Sequence, residues 1–164
     1  MIECEGPTAI AAIILETIPG TAGFLIPPKG YLIGVRELAT KYGIQLIFDE
    51  VMVGFGRTGK WFAFEHFNVV PDLITFAKGV NSGYVPAGGV VVSEPIVEYF
   101  KSNFFMGGLT YSGHPLAMAS IVATLDVMEQ EGIVTHADNV GNSVLGPLLL
   151  SLQELHPMIG DVRG

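Results

Sequence analysis

Apolar residues gather along this chain in four short runs, each closed by a charge or a turn residue. Ala9 to Leu15 stops at Glu16 and the Pro19-Gly20 turn, and a continuous apolar run of this length predicts a strand buried on both faces. Gln45 to Phe48 ends in the acidic pair Asp49-Glu50, Leu73 to Ala77 ends at Lys78-Gly79, and Gly88 to Val92 forms the fourth run. Between the first two runs, Leu32, Val35, Leu38 and Ala39 fall on one face of a helix from Tyr31 to Tyr42, with Gly43 as its stop. Glu94 to Phe100 predicts a short helix entered through Pro95. Strands alternating with helices imply an α/β domain with a largely parallel sheet.

The second half of the chain has helical periodicity. From His114 to Glu131, Leu116, Ala119, Ser120, Ala123, Val127 and Met128 recur about one turn apart, with Pro115 in the first turn and Gly132 beyond the end. Val134 to Leu155 continues the pattern, but Gly141, Gly146 and Pro147 interrupt it, which predicts a break or kink near Gly146-Pro147. There is no internal repeat and no low-complexity tract.

Composition narrows the function classes. Hydrophobic residues make up 49% and charged residues 15%, which implies apolar surface meant to be covered. The 16 acidic against 8 basic side chains, a formal charge of -8, oppose binding to a nucleic-acid backbone. No apolar run approaches the ~20 residues of a membrane helix. The single Cys4 and the lack of Cys and His at zinc-ligand spacing fit a reducing, cytoplasmic setting without a structural metal. The N-terminus lacks the basic start and apolar core of a signal peptide.

Two charges stand out because each closes a predicted strand, and ligands in open α/β sheets gather outside the carboxyl ends of the strands. Lys78 follows an apolar strand and precedes a Gly-containing stretch, a setting in which a desolvated ammonium becomes a nucleophilic amine; alone, it reads somewhat more readily as a lysine snorkelling to solvent. Asp49 alone reads as a turn-capping acid. Together they match what pyridoxal phosphate needs: an amine for its aldehyde, and a carboxylate that keeps its pyridine nitrogen protonated.

Competing patterns are weaker. Gly54 to Gly59 satisfies a dinucleotide fingerprint, and Gly54 to Lys60 most of a P-loop. Trp61 stands where a P-loop has its magnesium-binding hydroxyl, and the Walker-like Leu46 to Glu50 precedes the glycines instead of following them. A tight loop between the Asp49 and Lys78 strands is the simpler reading. His66, His114, His136 and His156 suggest no metal site, and Trp61, Phe62, Phe64 and Phe67 read as a packing cluster.

Four linked motifs carry a resemblance. Pro27-Pro28-Lys29-Gly30-Tyr31-Leu32 is followed by Asp49-Glu50-Val51 with Gly54-Phe55-Gly56-Arg57-Thr58-Gly59. Pro71-Asp72-Leu73-Ile74-Thr75-Phe76-Ala77-Lys78-Gly79 and Thr110-Tyr111-Ser112-Gly113-His114-Pro115 then follow. In order and spacing they resemble class III aminotransferases, over essentially the whole chain through Gly160-Asp161-Val162-Arg163-Gly164. The resemblance implies the large domain of a fold type I, pyridoxal 5'-phosphate-dependent transaminase. It makes Lys78 the lysine that holds the cofactor as a Schiff base and shuttles the proton. Asp49 becomes the partner of the ring nitrogen, Val51 an apolar wall on the ring face, and Thr110 a phosphate contact across a homodimer interface. It also divides the chain into residues 1–131, part of the cofactor-binding domain, and 132–164, a helical link into a C-terminal domain. The expected substrates are an amine or ω-amino acid and a 2-oxo acid, with pyruvate as the acceptor.

The chain departs from the family pattern where many members have a glutamine after Asp-Glu-Val and this one has Met52. Glu16 lies where some members place a gating glutamate. Family chains extend further at both ends, so this stretch alone is expected to bind the cofactor weakly and turn over little. The rival reading is a catalytically inactive binding or interaction module of the same fold.

Overall fold

In the computed structural model, which describes residues 1–163, the four apolar runs become one sheet: β1 (Ala12–Glu16), β2 (Gln45–Asp49), β3 (Leu73–Phe76) and β4 (Gly89–Val92), side by side in that order. β1, β2 and β3 are mutually parallel and β4 is antiparallel to β3. Gly164, the last residue of the closing motif, lies outside the described residues. The helices are α1 (Ile2–Glu5), α2 (Tyr31–Tyr42), α3 (Glu94–Ser102), α4 (Pro115–Gln130), α5 (Ile133–Val140) and α6 (Gly146–Leu155).

The core lies between α2 and one face of the sheet. Alternation along β2 sends Leu46 and Phe48 inward, where they meet Leu32 and Ala39 of α2 together with Ile44 and Val69. α2 ends where Gly43 turns left-handed (φ 66°), and Ile44 N–H then donates to Ala39 O at 2.9 Å. Asp72 clamps this layer: its Oδ2 accepts from Arg36 Nη1 and from Leu46 N–H, each at 2.7 Å, tying α2 to β2 at the point where β3 begins.

One expectation is corrected. β1 starts at Ala12 and not Ala9, and it is not buried on both faces: as an edge strand it leaves Ile14 62% exposed. Register places Ile14, Ile47 and Leu73 on one face, opposite the one that α2 covers. The interruption expected near Gly146-Pro147 takes the form of a widened turn with helix on both sides. Residues Gly141–Leu145 form a π turn, in which Gly146 N–H bonds Gly141 O. The extra residue opens the coil just where Pro147 has no N–H to offer.

Candidate active site

Three polar side chains share one row at the carboxyl end of the parallel strands. Glu16 pairs in register with Asp49, and Asp49 with Thr75, so in-phase pleating puts all three on the same sheet face. Asp49 Oδ1 accepts the Val51 N–H at 2.9 Å, and Glu16 Oε2 accepts the Gly20 N–H at 3.1 Å; each carboxylate thereby shapes the turn that follows its strand. Thr75 Oγ1, beside Asp49, is buried without a hydrogen-bond partner among the described residues.

β3 leads directly to Lys78, whose backbone is left-handed (φ 43°), an unfavourable conformation for a residue with a Cβ. A single helical turn follows, Lys78–Asn81, fastened by Val80 N–H to Ala77 O at 3.1 Å. The Lys78 side chain is exposed, and its Nζ donates to Met52 Sδ at 3.3 Å. Lys78 and Asp49 therefore occupy the same end of adjoining strands and both touch the Val51-Met52 turn, one through the Met52 sulfur and the other through the Val51 N–H.

An open cleft of about 910 Å³ lies beside the Lys78 turn, between it and α4, lined by Lys78, Phe55, Arg57, Tyr84 and Thr124 among others. Asp49 and Val51 do not line it. Thr110 is exposed in the segment between α3 and α4, and its side chain makes no hydrogen bond among the described residues.

The carboxylate next to Asp49 plays a structural part. Glu50 is fully buried and accepts three hydrogen bonds, from Thr17 Oγ1 (2.5 Å), Ala63 N–H (2.8 Å) and Phe64 N–H (3.0 Å). Burial pushes its pKa above the usual glutamate range, and the three donors pull the other way. Glu50 joins the end of β1 to the short helical turn Ala63–Phe67, fixing the floor on which Asp49 sits. The sequence places Glu50 at a strand end, but alternation is the signal that could have found it: Leu46, Phe48 and Glu50 share the inward phase.

The glycine loop is a packing device. Gly56 and Gly59 both have positive φ (84° and 80°), and a Cβ on either would meet α5: Val134 Cγ2 at 3.2 Å from position 56, and Asp138 Oδ1 at 2.6 Å from position 59. The loop opens no helix, and protein occupies the space that a phosphate would need at these glycines. His66 Nε2 lies 2.9 Å from Thr58 O, which ties the loop down, and no cluster suited to a metal ion occurs among the described residues. The aromatic cluster packs as expected, with Phe62 and Phe64 stacked at 5.9 Å and Phe64 reaching Phe48 at 6.4 Å.

The order and direction of the strands define an α/β protein with charged groups at the carboxyl ends of its parallel strands. The family model for class III aminotransferases matches residues 2–164, and the chain belongs to that family. Taurine–pyruvate aminotransferase from Bilophila wadsworthia is 39% identical over 97% of this chain and 36% of its own length. Putrescine–pyruvate aminotransferase from Pseudomonas aeruginosa is 42% identical over 97% of this chain and 35% of its own. Among solved structures, taurine:2-oxoglutarate aminotransferase from Bifidobacterium kashiwanohense, in complex with PLP and glutamate, superposes with a TM-score of 0.94 at 49% identity. That likeness covers 99% of this chain and 36% of the solved one. An S-selective transaminase from Arthrobacter sp. superposes with a TM-score of 0.93 at 44% identity, over 100% and 35%. The fold is that of the fold type I transaminases, and the chain spans little more than a third of the relatives it matches. Among the described residues, no helix is long and apolar enough to cross a membrane.

Proposed function

We propose that this chain is the cofactor-binding segment of a pyridoxal-phosphate-dependent aminotransferase that moves an amino group from an amine or ω-amino acid to a 2-oxo acid. Pyruvate is the proposed acceptor, the molecule is a cytoplasmic homodimer, and residues 132–164 begin its C-terminal domain. One observation carries the reading: Asp49 and Lys78 close adjoining parallel strands and both touch the Val51-Met52 turn. The residues fit the group. The amine of Lys78 is held only by a weak sulfur contact, Asp49 Oδ2 has no hydrogen bond among the described residues, and the unpartnered Thr75 hydroxyl lies beside it.

When bound, pyridoxal phosphate supplies an aldehyde for the amine and a ring that withdraws electrons from the substrate carbon. The chain's own residues would orient it and move the proton. Asp49 would hold the cofactor's ring nitrogen, its carboxylate aimed by the Val51 N–H. Val51 supplies an apolar surface to one ring face. The Lys78 amine would be placed to hold and move the proton at the substrate carbon. Thr110 would offer its hydroxyl to the cofactor phosphate of a neighbouring subunit.

Incubation of the full-length protein with pyridoxal phosphate, followed by borohydride reduction and peptide mapping, tests the reading. A stable label on Lys78 supports it. A label spread over other lysines, or none, leaves the non-catalytic module as the better account; the exposed apolar face carrying Ile14 favours that second reading.

A further inference from the structure

We infer that Asn81 is a positioning residue for the Lys78 amine, anchoring the turn that carries it to helix α4. The inference rests on the proposed role of Lys78 and deepens it. Lys78 holds a left-handed backbone (φ 43°) in a short turn open to solvent on one side, and such a conformation persists only where its surroundings over-determine it. Nothing on the lysine side chain does so, since its one polar contact among the described residues is the Met52 sulfur. The constraint comes from the end of the turn.

Asn81 is 1% exposed and its amide is bonded on both sides. Nδ2 donates to Val85 O at 2.5 Å and to Ser120 Oγ at 3.0 Å, while Oδ1 accepts the Gly83 N–H at 3.3 Å. The bonds to Val85 and Gly83 close the loop after the turn on itself. The bond to Ser120 ties that loop to the middle of α4, where Ser120 Oγ in turn donates to Ala117 O at 2.8 Å. Ser82, directly after Asn81, is also left-handed (φ 54°), so the short turn from Lys78 is bounded at both ends by residues outside the favoured regions. Aspartate has no N–H to give Val85 O, and leucine has neither donor nor acceptor; the geometry selects a carboxamide.

The test compares the rate of reductive pyridoxal phosphate labelling at Lys78, across pH, in wild type, Asn81→Ala and Ser120→Ala. All are measured as full chains shown by circular dichroism to be folded. Ser120→Ala removes one of the two acceptors of the Asn81 amide and keeps a good helix former on α4. With about one net hydrogen bond lost, labelling is expected to slow about fivefold in Ser120→Ala and by about twentyfold or more in Asn81→Ala, with an altered pH midpoint. A purely structural Asn81 would lower the unfolding midpoint and leave both the rate and the pH midpoint of the folded protein unchanged. If Asn81→Ala does not fold, Ser120→Ala decides: labelling at the wild-type rate overturns the proposal. Failure of wild type to label at Lys78 would instead overturn the aminotransferase reading on which it rests.

Discussion

Met52 Sδ accepts a hydrogen bond of 3.3 Å from Lys78 Nζ, at the position where many class III members have a glutamine. A thioether is a weak acceptor and no donor, so it holds the amine loosely and offers nothing to a ring oxygen. Met52→Gln introduces both capacities at similar volume. Affinity for pyridoxal phosphate, followed by absorbance titration, is expected to rise about fivefold, the equivalent of ~1 kcal/mol for one net hydrogen bond. Met52→Leu is expected to leave it nearly unchanged, and equal behaviour of the two variants would contradict this account.

The least disturbing exchange at the neighbouring strand end is Asp49→Asn, which keeps an oxygen for the Val51 N–H and loses the charge. If Asp49 holds the cofactor as proposed, loss of its charge is expected to lower the transamination rate of the full-length protein by about 10²–10³. Lys78→Ala should abolish both the trapped label and turnover. Single-turnover absorbance changes measure each.

Glu50→Ala would leave three buried donors unmatched and a cavity beneath Asp49. The expected destabilisation is about 3–5 kcal/mol by denaturant unfolding, well above the effect of an exposed substitution.

The pH dependence of stability follows from the same residue. Burial raises the Glu50 pKa in the folded chain above its unfolded value, so the folded state binds the proton more tightly. Its contribution to stability is complete below the ordinary glutamate range and is lost as pH rises through the raised folded value. Glu50→Gln has no proton to lose there, and its unfolding free energy should show a flatter slope across that window. Parallel slopes for the two proteins would show that Glu50 does not titrate in this way.

Gly59→Ala is expected to destabilise the fold by about 2–4 kcal/mol, because the new Cβ meets Asp138 and the backbone is left-handed there. Calorimetric titration with ATP or NAD should give no binding heat in wild type or variant. Nucleotide binding that this change abolished would revive the loop as a phosphate cradle.

Helix α2, the four strands and the strand-end placement of Asp49 and Lys78 were legible in the chain, since each rests on local period or on a turn residue adjacent in sequence. The exposure of Ile14 was not. An apolar run carries no mark of whether a second layer covers it, and β1 turned out to be an edge strand.

The order of hydrophobic and polar residues therefore determined which segments become strands, where they end, and which charges stand at those ends. Contacts between residues far apart in sequence decided the rest. Thr17 with Glu50, Asn81 with Ser120 and Gly59 with Asp138 all join distant segments. Such pairs form only when the strands have been stacked in register and the helices laid against them, so each partner's role is a property of the assembled layers and has no local signature.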